Sequence, residues 1–210
     1  MKHEWRKSEK SIYLPKTKPM VIDVPEFQYI VLKGEGNPNN ELFSKYIEAL
    51  YSVSYAIKMT LKKVEKPPKG YSDWTVYPLT GIWDITENAK KNYTGKLNKD
   101  DLVFDLMIRQ PDFVTKDFFH NMLEFTKSKK PNVLLDQMEL KNIKDGKCIQ
   151  MLHIGSYDDE PESFRKMEEY AAGINLKRKD KTHREIYLSD FRKVPSDKLK
   201  TLLRFQVLDE

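Results

Sequence analysis

The sequence predicts an α+β fold made by duplication. A strand-helix-strand-strand unit occurs twice and forms a curved antiparallel sheet, with the helices on one face and a ligand groove on the other. Three observations carry this. Segments of strand and helix character follow one another in that order in each half. Gly34 and Gly155 each end a strand and open a polar loop, and Phe43 and Phe164 each lie nine residues past their glycine. Lys45 and Lys166 also match at a common offset. One such unit cannot bury both sides of its elements. Two units side by side can, and the concave face is then free to hold a ligand.

In chain order, residues 1–20 are polar, carry Pro15 and Pro19, and read as an arm lying on the domain. Residues 21–210 read as a single domain of two pseudo-repeats, about 21–110 and 143–210, with an insertion at about 115–142. Val21 to Lys33 is apolar and rich in strand formers, with Pro25 at or before the strand's start. A turn cluster from Gly34 to Asn40 follows, and Asn39 or Asn40 is placed to cap a helix over 41–64. Leu42, Tyr46, Ile47, Leu50, Val53, Ile57 and Leu61 give that helix its apolar stripe. The stretch 71–84 is extended, and 102–110 is a better strand. Thr115 caps a helix over 116–127. Strands over 133–143 and 147–154 are joined at Lys144-Asp145-Gly146, where Asp-Gly is a hairpin signal. A helix over 162–172 begins after Pro161 and ends at Gly173. The acidic run Asp158-Asp159-Glu160 reads as favourable charge at its N-terminus. Strands over 182–190 and 202–208 close the chain, with a short helix around 196–200 between them.

Composition narrows the classes of function. With 33% charged and 11% aromatic residues in 210, this is a soluble globular chain with many rings. No apolar run is long enough for a membrane span, and the first residues lack the apolar core of a secretory signal. The one cysteine, Cys148, has no internal partner, so a reducing cytoplasm is expected. The net charge of +5 is mostly lysine scattered over loops, so direct nucleic-acid binding is not expected. The four histidines, His3, His120, His153 and His183, include no pair at ligand spacing, so neither a metal nor another cofactor is expected.

The segment most informative about chemistry is Thr182-His183-Arg184-Glu185-Ile186-Tyr187-Leu188-Ser189-Asp190. Alternation along a strand puts Arg184, Ile186 and Leu188 on one face and His183, Glu185 and Tyr187 on the other. A carboxylate between an imidazole and a phenol is either part of a solvated strand face or, in a closed groove, a counter-charge or general base. Rings crowd irregular segments elsewhere: Tyr51, Tyr55, Tyr71, Trp74, Tyr77 and Trp83 in the first half, and Tyr157, Tyr170 and Tyr187 in the second. Rings around a carboxylate suit a flat aromatic or amphipathic, even cationic, small molecule. The same rings would also fill a core.

The sequence resembles the GyrI-like small-molecule-binding family, which also supplies the effector domains of multidrug-sensing transcription activators. The resemblance rests on IYLPKTKP, VLKGEGNPN, LYSVSYAIK, VYPLTGIWD, MIRQPDFVT, MLHIGSYDDEP, HREIYLSD and KLKTLLR, spread over roughly residues 12–208. It implies a duplicated strand-helix-strand-strand fold around a groove, with Glu185 at the position of the buried glutamate that meets cationic aromatic drugs. Stand-alone members of the similar branch are implicated in hydrolysing cyclopropane-bearing DNA-alkylating toxins. The resemblance therefore implies Glu185 as general base. Tyr157, Tyr71 and Tyr187 are candidate donors to a substrate carbonyl, and Trp83, Trp74, Tyr55 and Tyr51 are candidate ring surfaces. His183, His153 and Met151 complete the expected ligand-binding set. A non-catalytic module binding amphipathic cations and a gyrase-inhibitor-like protein that works through a protein partner remain open. Phe191 departs from the proline expected after the Ser-Asp pair and bears on that turn only.

Overall fold

The computed structural model describes residues 2–209, so Met1 of the expected arm and Glu210 of the expected domain lie outside the described residues. In chain order the elements are helices α1 (Trp5–Ser8) and α2 (Lys10–Tyr13), strand β1 (Met20–Glu35), α3 (Glu41–Leu61), β2 (Leu79–Ile85), α4 (Glu87–Lys91), β3 (Leu102–Gln110), α5 (Lys116–Lys129), β4 (Glu139–Ile154), α6 (Glu160–Ala172), β5 (Leu176–Arg178), β6 (His183–Tyr187) and β7 (Lys200–Asp209). The α+β class with antiparallel pairing is the architecture observed. The chain divides into two compact units. The first holds residues 2–4, Phe27–Tyr77 and Asp84–Ile143; the second holds Trp5–Glu26, Pro78–Trp83 and residues 144–209.

In the first unit β1 pairs with β3, from Gln28 opposite Gln110 to Glu35 opposite Val103. Ile30 and Leu32 on one face of β1 and Tyr29 and Val31 on the other are all buried, which is why this segment reads as a continuous apolar run. The stripe of α3 buries Tyr46, Leu50, Val53, Ile57 and Leu61. Each such aliphatic side chain contributes about 1.5–3 kcal/mol on leaving water. The helix ends at Leu61 rather than Val64, and Leu42 at its first turn is exposed. Asn40 stands at the cap position without a side-chain bond, whereas Thr115 caps α5 by accepting the Phe118 N–H at 3.2 Å. Gly34 has a steric reason: a Cβ there would run into the ring of Phe104, its partner on β3.

Three local expectations fail. Pro25 lies inside β1, not at its start. Of the stretch 71–84, only the part from Leu79 belongs to a strand, although Trp74 forms an isolated bridge with His3. The hairpin expected at Lys144-Asp145-Gly146 is instead the interior of one long strand, β4, and Val133–Gln137 is a 3-10 helix. Gly146 takes a positive φ of 66°, as at a bulge, and the chain continues. The Asp145 carbonyl accepts from the Gln206 amide at 2.7 Å, and its carboxylate is held by arginines of β6 and β7. These distant bonds override the local turn signal.

In the second unit β6 lies between β2 and β7, and β7 lies between β6 and β4, with β5 paired to the end of β7. The register aligns Gly81, Glu185, Leu203 and Met151 across β2, β6, β7 and β4. Directly opposed residues share a face. Glu185 therefore shares its face with Met151 and Leu203, and α6 packs on that same face through Phe164, Met167 and Ala171. The opposite face carries Arg184, Arg204 and Gln150. The chain before β1 covers it. The carbonyls of Ser11 and Ile12 accept from Gln150 and Arg204, each at 2.7 Å, and Trp5 and Tyr13 are buried against one another. Among the described residues no helix is long and apolar enough to cross a membrane.

Candidate functional site

Strand β6 presents Glu185 at its centre, and the residue is 8% exposed. Two neighbours on the same face reach it. The Tyr187 hydroxyl donates to Oε2 at 2.8 Å, and His183 Nε2 lies 3.1 Å from Oε1. Trp83 Nε1–H donates to the Tyr187 oxygen at 2.8 Å, so a chain of donors runs from indole to phenol to carboxylate. Gly81, opposite Glu185, leaves room for this chain. A Cβ there would sit 2.6 Å from Trp83 Nε1 and 3.2 Å from the Tyr187 oxygen. Burial first, and then the Glu185 charge beside it, push the Tyr187 phenol well above its ordinary range, so it stays protonated as a donor.

A second carboxyl group stands at this site. Glu160, the first residue of α6, is 5% exposed, and its Oε1 has no hydrogen-bond partner among the described residues. Its position on the helix explains the burial: residues 160, 164, 167 and 171 follow the apolar spacing of α6. A helix N-terminus ordinarily favours an anion by about 0.3–1 kcal/mol. Here burial outweighs that, followed by the charge of Glu185, and the two raise the Glu160 pKa well above the usual glutamate range. Glu160 therefore holds its proton to higher pH than a surface carboxylate does. Tyr157 completes the group. Its ring meets that of Tyr187 edge-on at 6.0 Å, and burial and the Glu185 charge push its pKa up to about 12. Its hydroxyl has no partner among the described residues, so it is a protonated donor with capacity to spare.

Of the residues chosen from the sequence, the fold thus brings together Glu185, Tyr187, His183, Trp83 and Tyr157. His153 and Met151 belong to the same unit with different surroundings. His153 is buried and saturated, with Nδ1 2.9 Å from the Ser163 hydroxyl and Nε2 2.9 Å from the Ser156 carbonyl. Met151 packs in the core under α6. Tyr71, Trp74, Tyr55 and Tyr51 belong to the first unit. Tyr71 meets Trp74 and Phe113 edge-on, Trp74 is buried, and Lys58 lies 5.0 Å from its ring. Tyr55 is exposed and stacks on Tyr51 at 6.2 Å. Two open clefts of the second unit, one lined by Asp23, Glu26 and Lys144 and one by His153, Asp159 and Ser163, do not include Glu185. Burial first pushes the Cys148 thiol up to about 12, which leaves it un-ionised and a poor nucleophile. Among the described residues no group of three or more His, Cys, Asp and Glu side chains is arranged to hold a metal ion. Glu160 is the residue that sequence reasoning missed. The signal was its phase on the helix, which conflicted with reading it as a dipole charge.

Known proteins match this chain along nearly all its length. The GyrI-like small molecule binding domain matches residues 17–208. The chain belongs to the GyrI-like family. Small-molecule binding is thus its general function, and Glu185 and Glu160 are carboxyls of a GyrI-like domain. Two crystal structures of hydrolases from Listeria innocua are similar to it. One is 33% identical with a TM-score of 0.86, covering 98% of this chain and 100% of the other. The second is 35% identical with a TM-score of 0.87, covering 99% and 100%. The C-terminal domain of EcmrR, at 11% identity and a TM-score of 0.52, covering 95% and 99%, shares the fold. No protein of curated function matches the sequence.

Proposed function

We propose that this GyrI-like protein is a hydrolase that opens a cyclopropane-bearing electrophile, with Glu185 as general base. The observation that carries the reading is the buried Glu185 carboxylate, framed by the Tyr187 hydroxyl and the His183 imidazole, with no arginine or lysine bonded to it among the described residues. A carboxylate fixed in this way is positioned to take a proton from a water bound beside it. The two Listeria innocua proteins called hydrolases, alike over their whole length, support the same class of reaction.

The reaction balances as follows. Water adds through its oxygen to the methylene carbon of the strained ring while its proton passes to Glu185. The ring carbon–carbon bond breaks, and its electron pair runs into the conjugated carbonyl, whose oxygen becomes an oxyanion. The Tyr157 hydroxyl, kept protonated by burial and without another partner among the described residues, is the donor that stabilises that oxygen. One proton then returns to the oxyanion, giving an alcohol and an enol or phenol. Trp83, fixed by its bond to Tyr187, offers an aromatic edge at the carboxylate.

The test is a pair of assays on the wild type and Glu185→Gln: turnover of a cyclopropane-containing alkylator, and affinity for a cationic aromatic dye. General-base catalysis predicts a loss of turnover of about 10²–10⁴ with dye affinity retained. A wild type with no turnover, whose dye binding vanishes in Glu185→Gln, would overturn the hydrolase reading in favour of a binding or sensing module. Behaviour unchanged in both assays would point to a protein-interaction role.

A further inference from the structure

We propose that Glu160 is the second working carboxyl of this site, the acid that returns a proton to the substrate oxygen. The inference rests on the hydrolase reading and deepens it. The first observation is geometric. Glu160 is a buried carboxyl with Oε1 unpartnered among the described residues, and it lies between Tyr157, whose ring meets Tyr187, and Phe164, whose ring meets His183, the two residues that flank Glu185 on its face of β6. A buried carboxyl left unpaired is costly, and nothing in the packing of α6 requires one, since Phe164, Met167 and Ala171 already fill its stripe. The second observation is that no arginine or lysine bonds to either carboxyl among the described residues; the groups around them are Tyr157, Tyr187, His183 and Asp158. Burial and the neighbouring Glu185 charge keep the proton on Glu160.

The division of labour follows. Before reaction the pair carries one proton, on Glu160, and one charge, on Glu185. The attacking water gives its proton to Glu185, and the pair is then neutral. The oxyanion left by ring opening takes the proton from Glu160, and the pair is back at one proton and one charge. No proton is gained or lost by the enzyme over the cycle. Glu185 is the base and Glu160 the acid, as environments that push two carboxyls apart allow.

The experiment measures turnover of a cyclopropane-bearing alkylator against pH in the wild type and Glu160→Gln. It is paired with the ¹³C resonance of the Glu160 carboxyl carbon in the wild type and in Glu185→Gln. Glutamine keeps the shape and donates a hydrogen bond to Glu185, so folding is expected to survive, but it has no proton to give. We expect kcat to fall about 100-fold with KM nearly unchanged, and the high-pH loss of rate that an acid on Glu160 gives the wild type to be absent from the variant. We also expect the Glu160 carboxyl to be neutral at pH 7 in the wild type and to ionise at lower pH in Glu185→Gln. A wild type that turns over while Glu160→Gln matches it in rate and pH profile overturns this proposal and leaves the hydrolase reading standing. An ionised Glu160 at pH 7 also overturns it. A wild type without turnover overturns both readings.

Discussion

Arg184 and Glu185 are sequence neighbours on β6, and they face opposite sides of one sheet with opposite results. On the arginine side a single carboxylate, Asp145, accepts from Arg184 Nη2 at 2.6 Å and from Arg204 Nη1 at 3.3 Å. Arg204 also reaches the Gln150 amide oxygen and the Ile12 carbonyl, so the strands and the chain before β1 are tied together there. On the glutamate side the Glu185 carboxylate accepts from a phenol and lies beside an imidazole, and the buried Glu160 carboxyl next to it has Oε1 unpartnered among the described residues. The difference separates structure from chemistry. A carboxylate clamped by two guanidinium groups has its position fixed and serves to tie strands together. A carboxylate beside a second, buried acid has a proton within reach.

The strongest way to break this comparison is to remove each acid and measure unfolding in urea. Asp145→Ala leaves two buried arginines without their carboxylate, and such a loss costs about 3–5 kcal/mol. Glu185→Gln keeps an acceptor for Tyr187 and removes a buried charge that no arginine or lysine pairs among the described residues, so its stability is expected to stay within about 1 kcal/mol of the wild type. Equal costs for the two substitutions would abolish the distinction between the faces.

How much of this was legible in the sequence differs in the same way. Glu185 was legible because strand alternation is local: His183, Glu185 and Tyr187 had to share a face. The helix of Tyr46 to Leu61 was legible because its spacing is local too. Asp145-Gly146 misled, since a hairpin dipeptide is a local signal and the bonds that keep β4 continuous come from residues of β6 and β7. Glu160 sat in an acidic run that reads as dipole charge. Its phase with Phe164 and Met167 placed it on the buried stripe, but only the fold reveals that the stripe begins against another carboxyl. The repeat glycines were legible as a pair, yet their reasons differ. Gly34 makes room for the Phe104 ring, while Gly155 adopts a φ of 140°.

A smaller perturbation sharpens the glutamate side without touching an acid. Gly81→Ala would drive a methyl group into the indole edge of Trp83, a rigid ring that can yield only by breaking its bond to Tyr187. Overpacking of this kind costs about 1–3 kcal/mol. The expected result is a stability loss in that range with altered Trp83 fluorescence. An alanine accepted with neither change would mean that the donor chain over Gly81 does not hold Glu185.

The smallest effect is a slope. The folded state holds the Glu160 proton more tightly than the unfolded chain does, because the carboxyl is buried beside Glu185. Stability from that proton is fully present below the ordinary glutamate range and is lost as pH rises through the raised folded value. Over that window the folded state binds more protons than the unfolded one, so unfolding free energy falls with pH, by at most about 1.4 kcal/mol per pH unit. Glu160→Gln cannot titrate, so its stability should decline less from mildly acidic to neutral pH. Other groups titrate in both proteins, and the difference between the two curves isolates the Glu160 contribution. The arginine side supplies the control. Gln150→Ala, which removes an amide bonded to Arg204 and leaves both acids of the other face in place, should lower stability and keep the wild-type pH slope. If Glu160→Gln and the wild type run parallel across this window, Glu160 does not hold its proton in the folded protein. The contrast between the two faces would then reduce to one of counter-charge alone.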